Sequence, residues 1–194
     1  MRPPRKSEAA DSVAIAEFAS WLKEEHRWAA AELKAVSADV ARFARVMDSG
    51  YLNKWANALV EASTFIREKA PTSKMTSAEV EELSGEIEDG APSAPGGNEL
   101  SMIADDLESP RLRAWATVVE EELRFIFAKL GSAAGQFAEA LKEFEQDDED
   151  DFREGLEDGS KEEQAKTCFE CARDEWETAK ADWIAAVQAA RRGR

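Results

Sequence analysis

Three groupings in this sequence carry side chains that do chemistry. His26 is the single histidine, Cys168-Phe-Glu-Cys171 has the spacing of a metal or redox pair, and Asp147-Asp-Glu-Asp-Asp151 with Asp158 offers a row of oxygen ligands. A histidine supplies a proton switch or a metal-binding nitrogen near neutral pH. Two thiols three residues apart share a helix face and supply half of a tetrahedral zinc site. Clustered carboxylates hold calcium when a glycine lets their loop turn sharply.

Each grouping lacks what its chemistry requires. His26 falls on an apolar seam between Leu22 and Ala29, and Lys23 stands where a helical metal site would place a glutamate. Its expected role is structural. No ligands complete a zinc site with Cys168 and Cys171, and no strand precedes them as in a thioredoxin-like motif. They read as core or half-exposed thiols. A calcium loop starting at Asp147 needs glycine where Phe152 sits and glutamate where Asp158 sits. The run therefore reads as a solvated acidic connection. Asp147, Asp148, Glu149, Asp150 and Asp151 are its candidates for docking a basic partner. There is no phosphate-cradling glycine loop, no serine elbow and no basic patch suited to nucleic acid. No catalytic, cofactor or metal residue is assigned, and a non-enzymatic protein that binds no nucleic acid is expected.

The elements that position these groups are helical. Ser49–Lys69 recurs sixty residues later as Ser109–Lys129, with identities at Ser49/Ser109, Leu52/Leu112, Trp55/Trp115, Ala56/Ala116, Glu61/Glu121, Phe65/Phe125, Ile66/Ile126 and Lys69/Lys129. Such self-similarity marks a repeated supersecondary unit. Apolar residues three and four apart in both copies give one helix face. Trp21, Trp28, Trp176 and Trp183 also stand at helical spacing, and a packed layer between the first and last arms is expected of them rather than a ligand box. With Trp55, Phe65, Trp115, Phe125 and Phe137 they are the candidates for core or interface.

The 194 residues suit one domain, and five of the six prolines lie in tail or connecting sequence. Ala, Glu, Lys, Leu and Arg dominate between them, as in long helices. The net charge of −16 is unevenly placed: Met75–Pro110 carries ten acidic and no basic residues, and Glu143–Glu163 twelve acidic and two basic. The arms between are nearly neutral. No apolar run is long enough to cross a membrane. Met1–Lys6 is basic but leads into no signal-peptide core, so a cytoplasmic protein with reduced thiols is expected.

Residues 1–7 read as a disordered basic tail and 8–192 as one helical domain. Its first arm, 8–70, has a seam of Ile15, Ala19, Leu22, His26, Ala29, Leu33, Val36, Val40, Phe43 and Met47, with a kink expected at Ser49-Gly50. The connection 71–97 holds a short helix started by Thr76 or Ser77, with Val80, Leu83 and Ile87 on one side, then a flexible linker around Gly90–Gly97. The second arm, 98–146, is capped by Asn98, with a break or kink expected near Ser109 because of Pro110. Gly131 and Gly135 allow close helix approach. After the acidic connection 147–159 comes the third arm, 160–192, through Trp176, Trp183 and Val187. The fold class is all-α: three long kinked helices in an up-down-up antiparallel coiled-coil bundle. Arms of unequal length leave apolar seam uncovered, which argues for a homodimer.

Trp21-Leu-Lys-Glu-Glu-His-Arg-Trp-Ala-Ala-Ala-Glu-Leu-Lys34 is similar to the first-helix pattern of the BAR and F-BAR superfamily. Leu112–Phe144, with Trp115-Ala116 and the closing Ala140-Leu-Lys-Glu-Phe144, resembles its second helix. The resemblance implies a curved homodimer that shapes or scaffolds membranes from their surface. Such modules carry Lys and Arg at the tip between their second and third helices, whereas this tip, Glu143–Glu163, is acidic. An anionic leaflet repels it, which disfavours membrane association there. The function expected is a helical dimerisation or scaffold module of BAR-like plan; the alternative is an acidic binding protein or chaperone that docks a basic protein through its charged connections.

Overall fold

The computed structural model describes residues 6–93, 95–145 and 160–193. Every element among them is helical and none is a strand. In chain order they are α1 (Lys6–Met47), α2 (Gly50–Glu68), α3 (Ser77–Asp89), α4 (Glu99–Asp106), α5 (Pro110–Ala116), a π-helical stretch (Thr117–Glu122), α6 (Leu123–Glu145) and α7 (Ser160–Arg192). No helix among the described residues is long and apolar enough to cross a membrane. Lys6 and Ser7 begin α1 rather than ending a tail. Met1–Arg5 and the connection 147–159 lie outside the described residues.

The first arm is a hairpin, not one kinked helix. Asp48 takes a left-handed backbone (φ 51°), with its N–H on Arg45 O; Ser49 N–H returns to Ala44 O. This six-to-one and five-to-two pair of bonds closes the end of α1. Ser49 then caps α2 by accepting from Leu52 N–H. The second arm reverses in the same way. Glu108 is left-handed (φ 46°) and donates to Asp105 O, Ser109 N–H donates to Ala104 O, and Ser109 caps α5 at Leu112 with Pro110 in the first turn. The leading serine of each repeat copy is thus the cap after a reversal. A kink is expected at the first turn and a break or kink at the second, because a seam keeps its spacing whether the chain runs on or folds back. Neither left-handed position is a glycine, the residue that most often marks such a reversal.

Side-chain bonds give the direction of each helix. Ser63 Oγ donates to Ala30 O (2.7 Å), Ser37 Oγ to Ala56 O (2.8 Å), and His26 meets Ile66 O, so α2 runs back along α1. On the other side α7 runs parallel to α1, with Trp176 against Glu25 and Arg191 against Asp39. The continuous stretch 110–145 opposes both: Phe18 packs edge-on to Phe137, Phe43 stacks on Trp115, and Lys129 pairs with Glu175 of α7. α3 descends along α6, its Ser84 hydroxyl on Gly131 O; a Cβ at Gly131 would meet Glu88 and Ser84, so the two small residues there permit the close approach.

These helices cover the seam within one chain. Ile15, Leu22, Leu33, Val36, Val40, Leu52, Leu59, Ile66, Leu123, Leu130, Phe137, Trp176, Trp183 and Val187 are all buried. The expectation of a long uncovered ridge overlooked α2 and α3: one folds onto α1, and the other onto α6. Exposed large apolar residues remain chiefly at the end where both reversals lie, among them Val46 (74% exposed), Met102 (67%) and Leu107 (64%).

Candidate functional site: an acidic ridge pinned to the helical rod

The stretch 71–109 is where charge and structure meet. α3 opens with a capping box: the Thr76 hydroxyl accepts from Glu79 N–H, while the Glu79 carboxylate accepts from Thr76 N–H. That pairing holds the Glu79 carboxyl below the usual carboxylate range. Val80, Leu83 and Ile87 turn inward, as their spacing predicts, and Ser77 is buried with them. α4 lacks such a cap; Asn98 makes no side-chain cap bond, contrary to expectation.

Carboxylates of the 110–145 rod complete both helix starts. Glu145 accepts from Ser77 N–H (2.7 Å) and from the Ser77 hydroxyl. Glu120, buried in the π-helical stretch, accepts from Leu100 N–H (2.9 Å), Ser101 N–H (3.2 Å), the Ser101 hydroxyl and the Tyr51 hydroxyl (2.7 Å). Each carboxylate satisfies donors that a helix leaves unpaired, at the end where the dipole favours negative charge. Burial, and then the hydrogen bond and charge of Glu120, push the Tyr51 phenol up to about 12. Sequence reasoning missed both residues; a glutamate among apolar positions at 118–120 is the one signal that pointed to Glu120.

So anchored, α3 and α4 lie one after the other along the rod, from Glu81–Lys142 (2.9 Å) at one end to the Asp105–Arg113 ion pair at the other. All ten acidic side chains of 75–110 are exposed. Glu81, Glu86 and Asp105 have cationic partners. Glu82, Glu88, Asp89, Glu99, Asp106 and Glu108 have no ion pair among the described residues. The short helix expected in this connection is α3, and the acidic side chains of α3 and α4 form a ridge along the rod.

The other candidates sit elsewhere. His26 is fully buried, with Nδ1 2.9 Å from Ile66 O in the last turn of α2 and Nε2 without a partner. It seals a helix end, and burial lowers its pKa to about 4 against the smaller opposing effect of that bond. Cys168 is half-buried and Cys171 exposed, both as free thiols; burial pushes the Cys168 thiol up. No group of three His, Cys, Asp or Glu among the described residues is placed to hold a metal. Trp28 meets Trp176 edge-on (5.9 Å) and Trp21 meets Phe169 (5.5 Å) between α1 and α7, with Lys180 over the Trp28 ring and on Glu25 (2.8 Å). Trp55, Trp115, Phe137 and Trp183 are buried. Phe65 and Phe125 are only partly covered, each beneath its own repeat's lysine: Lys69 at 5.9 Å and Lys129 at 5.7 Å from the ring centres. Asp147, Asp148, Glu149, Asp150 and Asp151 lie outside the described residues.

No family model, no curated protein and no solved structure matches the chain.

Proposed function

We propose that this protein is a non-enzymatic helical interaction module whose acidic face docks a basic protein partner. The observation that carries this reading is the ridge formed by α3 and α4, whose unpaired carboxylates are held in place by Glu120 and Glu145. Fixed like charges repel one another, and a cationic surface laid over them relieves that repulsion and speeds encounter. A variant with Glu88, Asp89, Glu99, Asp106 and Glu108 changed to Gln or Asn tests it, since none of the five carries an ion pair among the described residues. Binding of a fluorescein-labelled amphipathic Leu/Lys peptide should weaken with salt and fall about tenfold or more in the variant. Equal affinity for the two proteins rejects the reading.

Self-association is a second reading. The homodimer is argued from uncovered seam, and that support now falls to the exposed Val46, Met47, Met102 and Leu107 at one end. An up-down-up coiled-coil bundle is kept as a reading of α1, 110–145 and α7 alone. A micromolar monomer by analytical ultracentrifugation would count against a dimer. A membrane-scaffolding role belongs to this reading, and an anionic leaflet would repel the acidic ridge of 75–110.

A further inference from the structure

Where the C-terminal end of α2 passes α3, the surface opens into a groove of about 390 Å³ lined by Glu68, Lys69, Ala70, Met75, Glu79, Glu82, Leu83 and Glu86. Its apolar side is Met75, Ala70 and Leu83, where Leu83 is buried and the other two are half-buried. Its rim is four carboxylates, and the negative end of the α2 dipole adds to them. Glu79, Glu82 and Glu86 share one face of α3, since residues three and four apart are neighbours on a helix.

The groove also holds its own example of what fits. Lys69, the one basic side chain in the lining, places Nζ 2.6 Å from Glu86 Oε2 and 5.9 Å from the Phe65 ring centre. An ammonium on a flexible apolar stem is satisfied there by a carboxylate and an aromatic face together. Glu82 and Glu68, beside it, have no ion pair among the described residues.

We propose that this groove binds a lysine-bearing amphipathic segment of a protein partner, with apolar side chains on Met75 and Leu83 and an ammonium at Glu82 and Glu86, in competition with Lys69. Charge complementarity and the apolar floor select this occupant. A polyamine offers Met75 only short methylene runs between its ammoniums, and a second copy laid ridge to ridge would bring carboxylates to carboxylates. The inference rests on the docking reading of the acidic ridge and narrows it to one place.

The test measures anisotropy of the labelled Leu/Lys amphipathic peptide, a scrambled peptide of the same composition, and spermine as competitor. Glu82→Gln removes no hydrogen bond or ion pair among the described residues and should weaken the amphipathic peptide about tenfold; Met75→Ser should weaken it as well. Lys69→Ala should tighten it several-fold by removing the resident cation. Equal binding of the scrambled peptide, equal competition by spermine per charge, or indifference to Glu82→Gln and Lys69→Ala overturns the groove. If the ridge variant nonetheless loses binding, the broader docking reading stands. No binding to wild type at low salt rejects both.

Discussion

His26 should make this protein acid-labile above the range where its carboxylates titrate, and the size of the effect follows from its burial. In the fold the imidazole is neutral, with a pKa lowered to about 4; in the unfolded chain it returns to its ordinary 6.5. Protonation is therefore easier in the unfolded state. The stability that neutral His26 contributes is complete above pH 6.5 and is lost as pH falls towards 4. At 1.36 kcal/mol per pKa unit, the loss is about 2 kcal/mol at pH 5 and approaches about 3 kcal/mol below pH 4. The control is His26→Asn, whose amide nitrogen stands near the Nδ1 position and can still donate to Ile66 O but cannot charge. The smaller side chain should cost about 1–2 kcal/mol at all pH values. Urea midpoints between pH 7.5 and pH 5 should fall steeply for wild type, and by about 2 kcal/mol less for the variant. Glu122 shifts the other way, because burial and Asp182 raise its pKa, but it is common to both proteins and cancels. As the chain has one histidine, its NMR titration gives the folded pKa directly. Parallel stability curves, or a folded pKa near 6.5, would refute the reasoning.

Two further perturbations test the elements that carry the ridge. Glu120→Gln turns an NH2 group towards partners that are themselves donors, and should cost about 2–3 kcal/mol. Amide protection should fall first at Leu100–Ala104, and the Tyr51 phenol should ionise at lower pH without the Glu120 charge; a urea midpoint shifted by less than about 0.5 kcal/mol contradicts this role. Asp48→Gly and Glu108→Gly should each stabilise by about 0.5–1 kcal/mol, because glycine escapes the left-handed penalty but loses more entropy on folding. Thermal melts showing a loss in both variants would mean that the reversals are not strained as their φ angles indicate.

Local chemistry made much of the fold legible. Apolar spacing at three and four marks every rod, Thr76 and Ser109 announce helix starts, and Val80, Leu83 and Ile87 pick out the inner face of α3. The same locality explains the failures. Heptad spacing carries no sign of direction, so Ile15–Met47 followed by Leu52–Ile66 reads equally as a long helix or as a hairpin. The deciding residues, Asp48 and Glu108, are not the glycine that most often marks a left-handed reversal.

For the candidate site, sequence by itself determined the amount and sign of charge: ten acidic residues and no basic one across 75–110. Only the tertiary structure decided where this charge is held against the rod. Glu120 meets donors twenty and sixty-nine residues away, and Glu145 meets Ser77 sixty-eight residues away. A carboxylate among apolar neighbours is costly to bury, and its pairing depends on groups that only folding brings within reach.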